Sequence, residues 1–220
     1  MFHSLTLSGA LSYSIAKNNC FHKNVIVLVN TDEDALDISE SVATVSKILK
    51  FLTPQIVVFP EADTPARLKA ILQITKNNIT LLCASTTAIE KKTFSRQTLK
   101  KSIIKLKKND VINREFLISG LVESGYERVD MVTDVGEFSI RGEILDIWST
   151  TSDVPLRIVF NINNIESIKI IDVANQRSIS EISETEIIPA IEKDEANVFD
   201  WFQGSSHIFS EGDIVSYLPP

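Results

Sequence analysis

Residues 1–90 alternate between short apolar runs of strand length and longer segments of helical periodicity, and no other feature restricts the fold as strongly. Residues 25–29 are apolar at every position, which is typical of a parallel strand covered on both faces. Residues 36–49 place apolar side chains at three- and four-residue steps, so they predict a helix, with Asp32 as the expected N-cap. We therefore predict βαβ units around a parallel sheet in this part of the chain.

The strand pattern recurs twice more before residue 90. Gln55–Phe59 and residues 79–83 are both apolar runs, and Pro65 fits the first turn of a helix between them. Three such strands make only part of a nucleotide-binding-type sheet. Cys83 lies in the third run, and Cys83 and Cys20 are both interpreted as small core hydrophobes because neither has a partner motif.

The composition changes near residue 91. Eight basic residues and no acid lie between residues 91 and 108, and residues 102–106 alternate as a strand does. Asn113 is the expected N-cap of a helix that Gly125 ends. Strand signals then dominate, in residues 126–132, 137–148, 156–162 and 165–173. The pattern indicates a sheet-rich, largely antiparallel unit, with Asn163 and Asn164 as a hairpin turn.

These shifts divide the chain into three segments. Residues 1–90 are predicted to form a partial α/β domain, residues 91–190 a sheet-rich α+β domain, and residues 191–220 an incomplete acidic return segment, in which the sequence pattern shows no closing element. We expect residues 91–190 to fold as a unit when cut free, because both edges are polar. The apolar runs fall far short of the roughly 18 residues that a membrane span needs, and residues 1–16 have no basic leader, so the expected address is the cytoplasm.

Nucleotide-binding and catalytic motifs are incomplete. Gly9 lies where a phosphate-binding loop would begin, but no Gly-Lys-Ser/Thr follows it, so we do not expect this chain to hydrolyse ATP. His3, His22 and His207 lack metal-ligand spacing and are interpreted as ordinary surface or terminal side chains. We therefore predict no cofactor, no metal and no enzymatic activity.

The net charge of −7 disfavours nucleic acid as a partner of the whole chain, yet the charges are unevenly distributed. The basic run contains Lys91, Lys92, Arg96, Lys100, Lys101, Lys105, Lys107 and Lys108. Residues 161–220 contain eleven acids against three basic residues. We prefer a solvated strand and loop face for the basic run, because Phe94 is its only aromatic residue. Direct DNA binding through residues 91–108 stays an alternative.

Residues 126–148 are the best candidate for a binding surface. Alternation places Phe138 on the apolar face of a predicted strand, and Glu137 and Arg141 on the opposite face. Gly136 and Gly142 bracket Arg141 and permit a turn or bulge that directs its side chain outward.

The same region carries a family resemblance, in five blocks that keep their order and spacing. The blocks are residues 125–130 (GYERVD), 135–147 (VGEFSIRGEILDI), 155–160 (PLRIVF), 165–168 (IESI) and 172–178 (DVANQRS). They resemble the UvrB-homology module of bacterial transcription-repair coupling factors, and the corresponding part of UvrB. The resemblance covers residues 97–190 well and residues 1–90 more loosely. It implies a degenerate RecA-like motor domain, an inserted UvrA-interaction domain, and a return segment that completes the first domain.

The resemblance also implies site residues. The UvrA-facing charge would fall on Arg128, Arg141 and Arg157, with Glu137 and Phe138 as further contacts. Arginine suits such an interface because its fork pairs bidentately with carboxylates. On an exposed face, replacing each arginine by alanine should change the free energy of unfolding by only about 0.5 kcal/mol.

Two departures from the family pattern lie close to these arginines. UvrB has a second arginine where Ser139 stands, and coupling factors often carry an aromatic residue near Asn161. Losing both would weaken or retune the contact with UvrA.

The function implied by the resemblance is a non-catalytic module that recruits UvrA in transcription-coupled nucleotide excision repair. RNA polymerase and DNA would be contacted through domains missing from these 220 residues, so we expect a fragment, a split gene product or a free-standing module. Besides direct DNA binding, a second alternative is one lobe of an ATP-dependent DNA translocase that another chain completes.

Overall fold

The computed structural model describes residues 12, 13, 15, 24–51, 55–76 and 80–202, and the backbone of residues 206–210 and 213–217. The elements in chain order are β1 (Asn24–Val29), α1 (Asp32–Leu49), β2 (Gln55–Phe59), α2 (Thr64–Lys76), β3 (Thr80–Ser85), α3 (Thr86–Glu90), α4 (Arg96–Ser102), β4 (Ile104–Lys107), α5 (Arg114–Glu123), β5 (Glu127–Arg128), β6 (Glu137–Arg141), β7 (Ile144–Ile147), β8 (Leu156–Asn161), β9 (Asn164–Ile171), β10 (Ser178–Ile182), β11 (Glu184–Ile187), a 3₁₀ helix (Val198–Trp201), β12 (Ser206–Ser210) and β13 (Asp213–Tyr217). Within these residues no helix is both long and apolar enough to cross a bilayer.

The chain divides into two compact units. Unit 1 comprises Met1–Ser95 and Lys193–Pro220, and unit 2 comprises Arg96–Glu192. The interpretations that concern Gly9, His3, His22 and Cys20 lie outside the described residues, and only the backbone is described at His207.

Unit 1 is built on a five-stranded sheet in the order β13-β12-β1-β3-β2. The three strands predicted from the apolar runs are confirmed, and β1 pairs parallel to β3, which pairs parallel to β2. Every residue of β3 is buried, including Cys83, because the strand lies between two neighbours and carries no charged side chain. Burial raises the pKa of the Cys83 thiol to about 12.

The sheet of unit 1 is completed from the end of the chain. β12 pairs parallel to β1, and β13 pairs antiparallel to β12. The expectation from the sequence pattern of no closing element in residues 191–220 is therefore wrong, whereas the return segment that the family resemblance implies agrees with these pairings. Each of the two strands is only five residues long and contains charged or polar residues. Their sequences alone therefore give a weak strand pattern, and the strands form because β12 pairs with β1.

The start of α1 differs from the sequence interpretation, whereas its end at Leu49 agrees with the predicted pattern. Thr31, not Asp32, is the N-cap of α1, because Thr31 has extended backbone and its hydroxyl accepts a hydrogen bond from the N–H of Asp34 at 3.1 Å. At the other end, Lys50 adopts a left-handed conformation with φ of 54° and closes the helix.

Unit 2 contains a six-stranded sheet in the order β10-β9-β8-β7-β6-β5 and a two-stranded sheet of β4 and β11. All pairings are antiparallel except that of β5 with β6, so the largely antiparallel prediction is confirmed. One face of the large sheet packs against α5, which begins after the predicted cap Asn113 and ends just before Gly125. The core of unit 2 contains Leu106, Leu117, Leu121, Tyr126, Phe138, Leu145, Ile147, Leu156, Ile158, Phe160, Ile165, Ile168 and Ile187.

Three local predictions in unit 2 need correction. The strand predicted over residues 102–106 is present but begins only at Ile104, because Arg96–Ser102 forms a helix in which Leu99 is buried and the lysines are good helix formers. The strand expected over residues 126–132 is limited to Glu127–Arg128. The β8–β9 turn has Ile162 and Asn163 at its tip, and Ile162 rather than an asparagine takes the positive φ of 60°.

Candidate functional site

A row of polar side chains crosses the face of the large sheet that lies opposite the core of unit 2. Ser139 pairs with Asp146, Asp146 with Arg157, Arg157 with Lys169, and Lys169 with Glu181 in the successive strands. Residues directly opposite each other in neighbouring strands share a face and have Cβ atoms about 5 Å apart. The register therefore brings five polar residues from five strands into one line.

Asp146 is the centre of this row. Its carboxylate is 1% exposed and accepts three hydrogen bonds from two arginines. Arg157 donates from Nε to Oδ1 at 2.7 Å and from Nη2 to Oδ2 at 2.8 Å, and Arg141 donates from Nη2 to Oδ2 at 2.7 Å. This geometry is the bidentate pairing that fixes a guanidinium most firmly, and it leaves one net positive charge on the group.

The two arginines differ in exposure. The side chain of Arg157 is 17% exposed, and its Nη1 also donates to the carbonyl of Gln176 at 3.2 Å, so all of its polar ends are engaged within unit 2. Its hydrogen bonds with Asp146 raise the pKa of Arg157. The side chain of Arg141 is 49% exposed. Arg141 can therefore present donors to a partner while Asp146 holds one of its nitrogens.

Arg128 lies apart from this group. It is exposed on the short strand β5, which pairs with β6 so that Arg128 is opposite the core residue Phe138. Its side chain borders a cavity together with Ile140 and the first residues of α5. Of the three arginines predicted to form one interface, the structure thus brings Arg141 and Arg157 together and separates Arg128 from them.

Glu137 and Phe138 have structural contacts in this chain. The Glu137 carboxylate accepts hydrogen bonds from the N–H groups of Thr133 and Asp134 at 2.7 and 2.8 Å, which closes the loop before β6. Phe138 is fully buried in the core of unit 2, as the alternation of the strand predicts, so its side chain is not on the surface that a partner would meet.

Asp146 is the residue of the candidate site that the sequence analysis did not single out. The signal is an acid inside the apolar strand β7, Ile144–Ile147, whose other residues are apolar. A buried carboxylate needs a cation, so this pattern predicts a basic partner on a neighbouring strand. The hydroxyl of Ser139, directly opposite Asp146, is buried and has no hydrogen-bond partner among the described residues.

Acids partly neutralise the basic run of residues 91–108. Lys91 pairs with Glu61 at 3.4 Å, Lys105 with Glu186 at 2.8 Å and Lys108 with Glu181 at 2.7 Å. The pairing raises the pKa of Lys105 and lowers that of Glu181. Lys100 and Lys101, on α4, are exposed.

Comparison with known proteins identifies the segment that carries this site. Residues 104–192 match the family model described as the UvrB interaction domain. A transcription-repair-coupling factor of Haemophilus influenzae is 30% identical over 202 residues, which cover 84% of this chain and 17% of that protein. A transcription-repair-coupling factor of Bacillus subtilis is 34% identical over 143 residues, covering 65% of this chain and 12% of that protein.

A second class of relative matches a shorter stretch. A UvrABC system protein B of onion yellows phytoplasma is 34% identical over 91 residues, which cover 41% of this chain and 14% of that protein. The chain thus spans less than a fifth of the length of each of these relatives.

Proposed function

Because residues 104–192 form a UvrB interaction domain, we propose that this chain is a protein-binding module that recruits UvrA in transcription-coupled nucleotide excision repair. Unit 1 is proposed to be a degenerate RecA-like domain without ATPase activity of its own. Contacts with RNA polymerase and DNA are proposed to belong to the parts of the longer relatives that this chain does not span.

The observation that carries this proposal is the way in which Asp146 holds Arg141. A free arginine side chain loses roughly 1 kcal/mol of rotamer entropy when a partner immobilises it. Here the buried carboxylate already restrains one end of the guanidinium, and about half of the side chain faces solvent. A carboxylate on UvrA would therefore meet a donor that is ordered before binding.

Arg141→Ala tests the proposal. Truncating one member of a desolvated charge pair at an interface costs roughly 2 to 5 kcal/mol, so we expect the Kd for UvrA to rise at least about thirtyfold. The measurement is titration of UvrA at fixed ionic strength, with the melting temperature of each variant recorded. Lys101→Ala is the matched control, because it removes one exposed positive charge from α4 in the same unit.

Two outcomes would contradict the assignment. In the first, Arg141→Ala binds UvrA as tightly as the wild type. In the second, the variant binds less tightly only because part of it is unfolded, so its affinity returns to the wild-type value when the titration is repeated well below its melting temperature. The expected result is a loss of affinity in Arg141→Ala at unchanged fold, with Lys101→Ala indistinguishable from the wild type.

The non-catalytic part of the proposal rests on the carboxyl ends of β1, β2 and β3, where ligands of open α/β sheets usually bind. Asp32 accepts hydrogen bonds from the hydroxyl of Ser85 at 2.6 Å and from the N–H of Glu61 at 2.7 Å. Thr87 donates to the Glu61 carboxylate at 2.9 Å. These groups satisfy each other and carry two carboxylates, which disfavours a nucleotide phosphate. A rise in melting temperature with millimolar ATP would contradict this and favour the translocase-lobe alternative.

DNA binding through the basic run is the second candidate function, and the exposure of Lys100 and Lys101 favours it. Each phosphate contact would make the logarithm of the binding constant fall with the logarithm of salt concentration at a slope near −0.9. If this candidate is correct, a double variant that replaces both lysines by alanine should bind DNA with a less steep salt dependence than the wild type.

A further inference from the structure

A cavity of about 500 Å³ lies at the start of α5, on the opposite side of β6 from Arg141. Two arginines, Arg114 and Arg128, line it, together with the apolar side chains of Ile118, Ile140 and Ile162. Arg128 and Ile162 are exposed, so the cavity opens to solvent. Its lining therefore combines positively charged and apolar side chains.

The two guanidiniums of the cavity differ from those of Arg141 and Arg157. Neither Arg114 nor Arg128 has a side-chain hydrogen bond or an ion pair within the described part of the chain. Glu115 is the one acid of the lining, and it lies at the first turn of α5, where the helix dipole stabilises a carboxylate. Two cations that converge on one cavity without internal partners are suited to an external anion.

Large exposed apolar side chains lie in the segments that line the cavity or next to them in sequence. Ile162 lines the cavity, Val111 and Phe116 flank the lining residues 113–115, and all three are more than 70% exposed. The N–H of Ile112 donates to the carbonyl of Asn163 at 2.7 Å, so the β8–β9 hairpin tip is tied to the segment that leads into α5. Exposed apolar side chains that cluster on an ordered surface are typical of protein–protein contacts.

The cavity and the proposed UvrA contact involve neighbouring residues of β6. Ile140 lines the cavity, and the next residue, Arg141, points to the other face of the sheet because neighbouring strand residues alternate. A partner that reaches Arg141 at the end of β6 is therefore one residue away from the cavity. Arg128 and Arg141 can therefore contact the same partner, each from a different face of the sheet.

We infer that the UvrA interface continues around the end of β6 into this cavity, and that UvrA supplies an acidic segment with a large apolar side chain there. The inference rests on the proposed function and adds a second contact of defined chemistry. The carboxylates would pair with Arg114 and Arg128, and the apolar side chain would lie against Ile118, Ile140 and Ile162. A nucleic acid fits less well because of the apolar lining, Glu115 and the net charge of −7.

Introducing a carboxylate into the cavity tests the inference. Arg114→Glu and Ile162→Asp should each raise the Kd for UvrA by about tenfold or more, since each places a carboxylate against the acidic segment. Lys101→Glu, which makes the same change in charge as Arg114→Glu but outside the cavity, should leave the Kd unchanged. The full chain is titrated, and the melting temperature of each variant shows whether it is folded.

Photo-cross-linking identifies the occupant independently of these variants. With p-benzoylphenylalanine at position 162, we expect a cross-link to a UvrA segment that has several Asp or Glu residues around a large apolar residue. A cross-link to a basic segment, or no cross-link at saturating UvrA, would overturn the inference.

The outcomes separate this inference from the proposed function. If Arg141→Ala weakens UvrA binding and the cavity variants do not, only the inference is wrong. If the wild type does not bind UvrA, both are wrong. If Arg114→Glu abolishes binding of a single-stranded oligonucleotide and leaves the UvrA affinity unchanged, the cavity is a nucleic-acid site and the inference is wrong.

Discussion

Arg128, Arg141 and Arg157 have the same side chain and occupy three different environments. Arg128 is exposed at a cavity, Arg141 is half-exposed beside a carboxylate, and Arg157 is largely buried with all of its polar ends engaged. The expectation that each substitution by alanine costs only about 0.5 kcal/mol presumes an exposed face. That presumption is wrong for Arg157, because its partner Asp146 lies in the interior.

Arg157→Ala should destabilise the fold by about 3 kcal/mol, because it removes two of the three hydrogen bonds to a buried carboxylate. The remaining bond from Arg141 keeps the loss near the lower end of the range for broken buried pairs. Urea unfolding compares the free energy of unfolding with that of Arg128→Ala, for which we expect about 0.5 kcal/mol. Equal values for the two variants would mean that Asp146 does not depend on Arg157.

The ends of helices and strands depend on single glycines and on turn positions. Gly125, just after α5, has φ of +86°, and a Cβ there would lie 2.5 Å from Cγ2 of Ile191. Gly142, in the β6–β7 turn, has φ of +59° and nothing within 4 Å of its Cβ position. The two positions therefore share a left-handed backbone and differ in the space around it.

Gly125→Ala should cost more stability than Gly142→Ala. Left-handed backbone costs an alanine about 1 to 2 kcal/mol at either site, and the clash with Ile191 adds about 1 to 3 kcal/mol at Gly125. The comparison uses the midpoints of urea unfolding of the two single variants. If Gly142→Ala is as harmful as Gly125→Ala, packing of Ile191 over Gly125 is not the reason that this helix end requires glycine.

The strands β12 and β13 depend on a partner distant in sequence, and the sequence pattern did not predict them. β12 is parallel to β1, and its Ser206 pairs with Asn24, about 180 residues earlier in the chain. Similarly, the backbone N–H of Thr93 donates to the carbonyl of Ala196 at 2.8 Å. Short segments of this kind gain their stability from the pairing and show little periodicity of their own.

At the scale of the whole molecule, the chain leaves unit 1, forms unit 2 and returns to unit 1. Residues 193–202 return to pack in unit 1, where Trp201 donates a hydrogen bond from Nε1 to the carbonyl of Phe94 at 2.8 Å. Unit 2 is thus inserted between the two parts of unit 1, and contacts within unit 1 hold the segments on either side of the insertion.

A fragment of residues 96–192 should fold alone, because it contains the six-stranded sheet, α5 and the core that they share. We expect one cooperative transition in thermal unfolding followed by circular dichroism. A fragment of residues 91–190 should also fold but melt at a lower temperature, because it lacks Ile191, which packs over Gly125. A gradual, non-cooperative loss of signal in fragment 96–192 would contradict the proposed independence of this unit.

The sequence by itself determined the local features of this protein. Apolar runs identified β1, β2 and β3, Asn113 and Gly125 defined the ends of α5, and alternation placed Phe138 in the core. These features depend on neighbours along the chain, so periodicity and capping chemistry suffice to predict them. The five sequence blocks likewise indicated the UvrB interaction domain that the family model matches.

Only the tertiary structure decided which side chains meet. Strand order and register place Asp146 between Arg141 and Arg157, and they place Arg128 beside a cavity on the other face. Alternation predicts the face on which a residue lies but not its cross-strand neighbour, because that neighbour depends on how many residues each hairpin turn contains. The pairing of Arg141 with a buried acid, and its separation from Arg128, follow from those turns.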